Sequence, residues 1–243
     1  MNLLTIFIFV LIIVLAYVVY KLMTQTTTTV SGFSDASQAT TVTGDKIGSS
    51  PNFGFSVWVY IDAWQNTAGT SDPPVYKKNI LTRCNGTTPV FQMYLDNEQN
   101  NLMLMFPATS TTTATTTCNI QNVKLQKWFN VIMSVYGNTS DLYLDGKLVR
   151  TCILSGPVTP ASGDTVQVGG GDITCSSSAS AAPGDLIGYI SSVVYKNEYF
   201  TPEEAWSIYS AGYSGSGMFD FIHRYKLSFS LLKDNQSVGT VSI

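Results

Sequence analysis

Along the middle of the chain, oily and polar residues alternate with a period of two. In Phe53 to Asp62, Phe53, Phe55, Val57, Val59 and Ile61 fall on one side, and Ser56, Trp58, Tyr60 and Asp62 on the other. That is the signature of a strand with one face against a core. Val90 to Asp96 and Leu102 to Phe106 read as short strands joined by the polar turn Asn97 to Asn101. Trp128 to Tyr136 alternates again, with Phe129, Val131, Met133 and Val135 on one face. Leu142 to Leu144 and Leu148 to Leu154 flank Asp145-Gly146, a pair suited to the positive φ angles of a tight hairpin. Val166 to Val168 and Ile187 to Tyr195 complete a series that predicts an all-β fold of two packed antiparallel sheets.

One stretch departs from this period. Thr201-Pro202-Glu203-Glu204 forms a capping box, Ala205, Trp206, Ile208 and Tyr209 give a stripe at helical spacing, and Gly212 ends it. After it, His223, Tyr225, Leu227, Phe229 and Leu231 alternate with Arg224, Lys226, Ser228 and Ser230, predicting an added strand. At the other end, Leu3 to Tyr20 holds a single polar residue, Thr5. Eighteen residues at helical rise cover ~27 Å, close to the hydrocarbon thickness of a bilayer. A retained membrane anchor is expected, since no basic residue precedes the run and no small-residue cleavage site follows it. Lys21 favours a cytosolic main domain, whereas acceptor triplets at Asn85, Asn138 and Asn235 favour an external, glycosylated one.

The organisation expected is therefore an anchor over 1–23, a Thr/Ser-rich stalk over 24–50, a sandwich over 51–212 and a C-terminal extension over 213–243. Thr109 to Thr117 reads as a surface loop. Charged residues make up only 12% of the chain and the net charge is −3, with no basic patch, which sets nucleic acid aside as a partner. Cys84, Cys118, Cys152 and Cys175 form two disulfides in an oxidising compartment, in any of three pairings, or stay as small buried hydrophobes in a reducing one. Their spacing, with His223 the only histidine, does not suit a zinc site.

Several segments resemble, in order, the laminin-G-like or concanavalin A-like jelly-roll family. They are Phe-Ser-Val-Trp-Val-Tyr-Ile at 55–61, Trp-Phe-Asn-Val at 128–131, Asp-Leu-Tyr-Leu-Asp-Gly-Lys-Leu-Val at 141–149 and Val-Gly-Gly-Gly at 168–171. Gly-Tyr-Ile-Ser-Ser-Val-Val-Tyr at 188–195 and Phe-Thr-Pro-Glu-Glu-Ala-Trp-Ser-Ile-Tyr at 200–209 complete the set. The resemblance implies calcium at rim aspartates, for which Asp96, Asp164, Asp172 and Asp185 are the candidates, although turn chemistry explains each equally well. It also implies two flanking carboxylates if the domain cleaves glycosides. Glu98, Glu198, Glu203 and Glu204 do not form such a pair on a strand, so no enzyme activity and no resident cofactor are expected.

Glycan binding needs exposed aromatics, and Trp58, Tyr60, Trp64 and Tyr76 are the candidates; burial of that face by another protein is the preferred reading. With anchor, stalk and low charge, the architecture is similar to minor structural proteins of large DNA viruses with an internal membrane. The function expected is a tether between bilayer and protein shell, with Arg224, Lys226 and the aromatics near Trp58 meeting neighbouring subunits. The alternative is a lectin-like adhesion module at a cell surface, carrying two disulfides and glycans on its acceptor asparagines.

Overall fold

The computed structural model describes residues 7–9, 11–17, 27–64, 78–108, 114–171, 175, 186–213, 228–233 and 236–242. Strands follow one another as β1 (Thr27–Ser31), β2 (Ser34–Asp35), β3 (Thr40–Val42), β4 (Phe53–Ala63), β5 (Asn79–Asn85), β6 (Thr88–Leu95), β7 (Leu102–Phe106) and β8 (Thr116–Ile120). The series continues with β9 (Trp128–Tyr136), β10 (Thr139–Leu144), β11 (Lys147–Ile153), β12 (Thr165–Val168) and β13 (Ile187–Lys196). A helix spans Pro202–Ala211, and β14 (Ser228–Lys233) and β15 (Gln236–Ser242) pair with each other.

Two antiparallel sheets carry the fold. One runs β1-β13-β4-β9-β10-β11, with β2 also on β13; the other runs β3-β12-β5-β6-β7-β8. Phe53, Phe55, Val57, Val59 and Ile61 are all fully buried between them, as the alternation predicts. Phe129, Val131, Met133 and Val135 from β9 join them, opposed by Phe91, Met93 and Leu104 from the second sheet. The β10–β11 hairpin turns on Asp145 at φ 51° and Gly146 at φ 73°. A Cβ on Gly146 would sit about 3.0 Å from Tyr209 and 3.1 Å from Trp206, so the glycine serves the turn and also admits the helix.

The capping box forms as expected: Thr201 Oγ1 accepts from the Glu204 amide, and Glu204 Oε2 accepts from the Thr201 amide. The helix lies on the outer face of the first sheet, where Ala205 packs with Phe200, Ile132 and Tyr143. Of the stripe expected to be buried, only Ala205 is fully so, and Trp206 is 52% exposed. A helix resting on one side of a sheet buries a narrow arc of its surface, and Trp206 lies outside that arc.

Two expectations require correction. Most of the Thr/Ser-rich stretch over 24–50 is not a stalk: Thr27 to Ser31 pairs with β13, Ser34–Asp35 also pairs with β13, and Thr40–Val42 pairs with β12. Threonine is β-branched and suits an edge strand as well as an extended spacer, so composition alone misplaced it. Thr116 and Thr117, assigned to a loop, begin β8; residues 109–113 lie outside the described set. Of the added C-terminal strand, residues 228–231 lie in β14, which pairs with β15, and residues 223–227 lie outside the described set.

Residues 7–9 and 11–17 are helical, and Phe7, Phe9, Leu11 and Leu15 among them are exposed. Among the described residues no helix is long and apolar enough to cross a membrane; the other positions of the expected span lie outside that set.

Both cysteine pairs are disulfides. Cys84 on β5 joins Cys175, and Cys118 on β8 joins Cys152 on β11. The second bond links the edge strands of the two sheets.

Candidate functional site

The first strand's outward face was expected to meet a neighbour. It divides instead into a covered row and an open one. Trp58 on β4 is only 5% exposed. The chain's own helix covers it: Tyr209 stacks on Trp58 with ring centroids 5.8 Å apart and planes 14° from parallel. Tyr213, just past the helix, meets its edge at 6.3 Å. Under this cap Asn130 Nδ2 donates to Ser56 Oγ and to the Val57 carbonyl, Asn130 Oδ1 is buried without a hydrogen-bond partner among the described residues, and Ser191 Oγ donates to the Tyr213 carbonyl.

Two residues further along β4 the cover stops. Tyr60 pairs directly with Trp128 on β9 and with Tyr189 on β13, so three rings from adjacent strands stand side by side on the outer face. Cross-strand neighbours lie about 4.5–5.5 Å apart at Cβ, close enough for aromatic contact. The ring centroids of Tyr60 are 5.6 Å from Trp128 and 6.2 Å from Tyr189. Phe33, in the turn between β1 and β2, stacks on Tyr189 at 5.2 Å and extends the row. At the other end Tyr213 stacks on Trp128 at 4.6 Å with planes 5° apart. Hydroxyls of Ser191 and Ser192 donate to the Tyr213 carbonyl and hold its backbone in place.

These five rings and Asp62 line a shallow cleft of about 350 Å³, within the size range of small-molecule sites. Phe33 is 65% exposed, Tyr213 43% and Tyr189 41%. Large aromatics grouped on an outer sheet face and left in water mark a binding surface more often than chance exposure. A smaller cleft of about 160 Å³ adjoins it, lined by Asp35, Ser37, Asp62, Ile187, Gly188 and Tyr189. Asp35 Oδ1 accepts from the amide and hydroxyl of Ser37, which orients the carboxylate. Gly188 keeps the strands in contact here, since a Cβ on it would fall 1.9 Å from the Tyr60 carbonyl oxygen.

The other sequence candidates are placed elsewhere. Trp64 is half-buried against the core, with Lys78 Nζ 4.1 Å from its ring centroid. Asp96 forms an Asx turn, accepting from the Glu98 amide. Asp164 is fully buried against Arg83, Nε to Oδ2 at 2.7 Å, and so is occupied as an ion-pair partner rather than presented at the rim. Among the described residues no three acidic, cysteine or histidine side chains come together to hold a metal ion. Tyr76, Asp172, Asp185, His223, Arg224, Lys226 and Asn235 lie outside the described residues. Asn85 is exposed at the end of β5, and Asn138 is exposed in the β9–β10 turn. Both belong to the end of the sandwich away from the aromatic cleft. A cavity of about 370 Å³ at this end is lined by Asn85 and Leu154, and the Leu154 amide donates to the Asn138 carbonyl.

Of the cleft residues, Tyr60 alone was a sequence candidate. Tyr189 and Trp128 carried a usable signal, since each is the outward position of a predicted strand next to Tyr60 in the sheet. Strand order was needed to see it. Phe33 and Tyr213 lie in loops whose positions follow only from the fold.

No curated protein sequence matches the chain. Among solved structures, the receptor binding domain of the botulinum neurotoxin C/D mosaic serotype superposes with a TM-score of 0.55 at 13% identity, over 74% of this chain and 43% of that one. The botulinum neurotoxin serotype D ligand binding domain, in complex with N-acetylneuraminic acid, gives 0.55 at 13%, over 74% and 42%. The serotype G binding domain gives 0.51 at 13%, over 76% and 50%. This chain thus spans half or less of each of those chains, and at such identity the likeness is one of fold. A laminin G-like family model, described as the concanavalin A-like lectin/glucanases superfamily, matches residues 33–204. That stretch contains all but the first strand of the two sheets, their hairpins and the capped start of the helix, and the chain belongs to the concanavalin A-like lectin/glucanases superfamily.

Proposed function

We propose that this protein is a lectin-like module that binds saccharides, without turning them over, in the cleft of Phe33, Tyr60, Trp128, Tyr189 and Tyr213. The observation that carries the reading is the open row Tyr189-Tyr60-Trp128 across three strands, beside the row Ser191-Trp58-Asn130, which is buried under the helix and Tyr213. A folded domain that buries Trp58 under its own helix and leaves the next row wet has a use for the wet one. Flat aromatic faces, negative at the ring centre, suit the C–H faces of pyranose rings. The serotype D ligand binding domain, which shares the fold, is described in complex with N-acetylneuraminic acid, and this favours a saccharide over other small ligands.

Binding without catalysis is part of the proposal. Glu204 is engaged by Lys196 and the Thr201 amide, Glu198 faces Lys196 at 3.9 Å, and Glu98 lies in a turn. No two of these flank the cleft. Two disulfides and two exposed acceptor asparagines at the far end support an extracellular or lumenal domain, and the apolar segment over 3–20 is proposed as its membrane anchor. The bilayer-to-shell tether has weaker support. Its docking residue Trp58 is covered from within the chain, and its stalk contributes β1, β2 and β3 to the two sheets.

The test is a glycan array probed with the full chain in detergent, alongside Tyr189→Ala. Tyr189 is 41% exposed, so its removal leaves the core intact. Bound glycans should lose at least tenfold in affinity, about 1.4 kcal/mol. Absence of any glycan signal, or equal binding by the variant, would remove the reading.

A further inference from the structure

We infer that the saccharide taken by this cleft is uncharged, and that carboxylates at its edge select against acidic sugars. The inference rests on the glycan-binding reading above and adds a ligand class to it. Asp62 lines both the aromatic cleft and the smaller one beside it, and Asp35 lines the second. Among the described residues neither lining contains a lysine, arginine or histidine.

The two clefts share Asp62 and Tyr189 in their linings. One ligand lying on the rings therefore extends its hydroxyls toward two carboxylates. An ionised carboxylate only accepts hydrogen bonds, and a sugar hydroxyl supplies the proton. A pair of adjacent hydroxyls on a neutral pyranose can donate to the two oxygens of one carboxylate. The same position occupied by a sialic or uronic acid would bring a second negative charge against Asp62 and Asp35, with no cation among the described lining residues to offset it. Recognition of acidic sugars uses arginine or lysine for this reason. The polar edge of this cleft has the opposite sign. The ring row holds either class of sugar, while the carboxylates distinguish them.

The orientation of Asp35 supports its assignment. Ser37 donates to Oδ1 from both its amide, at 2.9 Å, and its hydroxyl, at 2.8 Å. The carboxylate is thereby fixed beside β13, where Tyr189 pairs with Asp35 across the strands. It is a preorganised acceptor rather than a freely rotating surface charge, and preorganisation reduces the entropy lost on binding.

The experiment uses the full chain in detergent, with a chelator present so that the carboxylates are free of divalent cations. Affinities are measured for matched oligosaccharides, the same neutral core with and without a terminal N-acetylneuraminic acid. The neutral form should bind at least tenfold more tightly. Asp62→Lys should reduce that preference at least fivefold or reverse it, while Tyr189→Ala should weaken both forms alike. Equal or tighter binding of the sialylated form, or a preference unchanged in both Asp62→Lys and Asp35→Lys, would overturn the assignment and leave the glycan-binding reading standing. Failure of either form to bind would count against the glycan-binding reading itself, and the ligand class would fall with it.

Discussion

Arg83 on β5 and Asp164, just before the neighbouring strand β12 of the same sheet, offer a direct measure of what a buried ion pair contributes to this fold. Both side chains are fully buried, and Nε meets Oδ2 at 2.7 Å. The second guanidinium nitrogen donates to the Gly48 carbonyl at 2.7 Å, and Asp164 Oδ2 also accepts from the Ala161 amide at 3.0 Å. The guanidinium carbon lies 5.4 Å from the Phe53 ring centroid and 6.0 Å from that of Tyr195, so its surroundings are largely apolar. Asp164→Asn keeps the shape but leaves the arginine charge without its counterion. Removing one partner of a buried pair costs about 3–5 kcal/mol, because the remaining charge is neither solvated nor paired. With a urea m-value of about 3 kcal/mol/M for a domain of this size, the midpoint should fall by roughly 1–1.7 M. Tryptophan fluorescence reads the transition. Adding Arg83→Met to Asp164→Asn removes the stranded charge, and the double variant should be no less stable than Asp164→Asn alone. A midpoint for Asp164→Asn that corresponds to less than about 1 kcal/mol would refute the account, as would a double variant whose losses simply add.

Two further predictions concern the frame of the site. Burial tends to raise the pKa of Glu204, but hydrogen bonds from Lys196 and the Thr201 amide outweigh it and hold the carboxyl below its usual range. A group whose pKa is lowered on folding contributes stability above its unfolded pKa, and loses it as pH falls through the folded value. Melting temperature should therefore decline more steeply from about pH 5 to about pH 3 in the native chain than in Glu204→Gln. Equal slopes would contradict this; the effect is below about 1 kcal/mol because Glu204 is 40% exposed. Separately, Cys118 and Cys152 close a loop of 34 residues between the two sheet edges. Replacing both with serine should destabilise the domain by about 2–4 kcal/mol in urea, and an unchanged midpoint would mean the edges are held without the bond.

Strands with one wet and one dry face were legible in the sequence, because burial on a single side writes an alternation into the residues themselves. β4, β7, β9 and the β10–β11 hairpin follow from that pattern, and the capped helix from Thr201, Pro202 and Glu204. β5 left no such trace. Asn79, Thr82 and Arg83 are as deeply buried as Ile80 and Leu81, since each of these side chains has at least one hydrogen-bond partner supplied from elsewhere in the chain or from a nearby residue. β1 to β3 were hidden for the opposite reason, being short, Thr-rich edges whose exposed positions resemble a spacer.

By itself the sequence determined which residues can pair into sheets, where the chain turns and where the helix starts, because these depend on side chains a few positions apart. Cysteine pairing, the Arg83–Asp164 contact and the division of the outer face into a covered Trp58 row and an open Tyr60 row were decided by tertiary structure. Each depends on which distant segment comes to lie over a given strand. The candidate cleft is of this kind: Phe33, Tyr60, Trp128, Tyr189 and Tyr213 span 180 positions of sequence and meet only once β13, β4 and β9 are side by side.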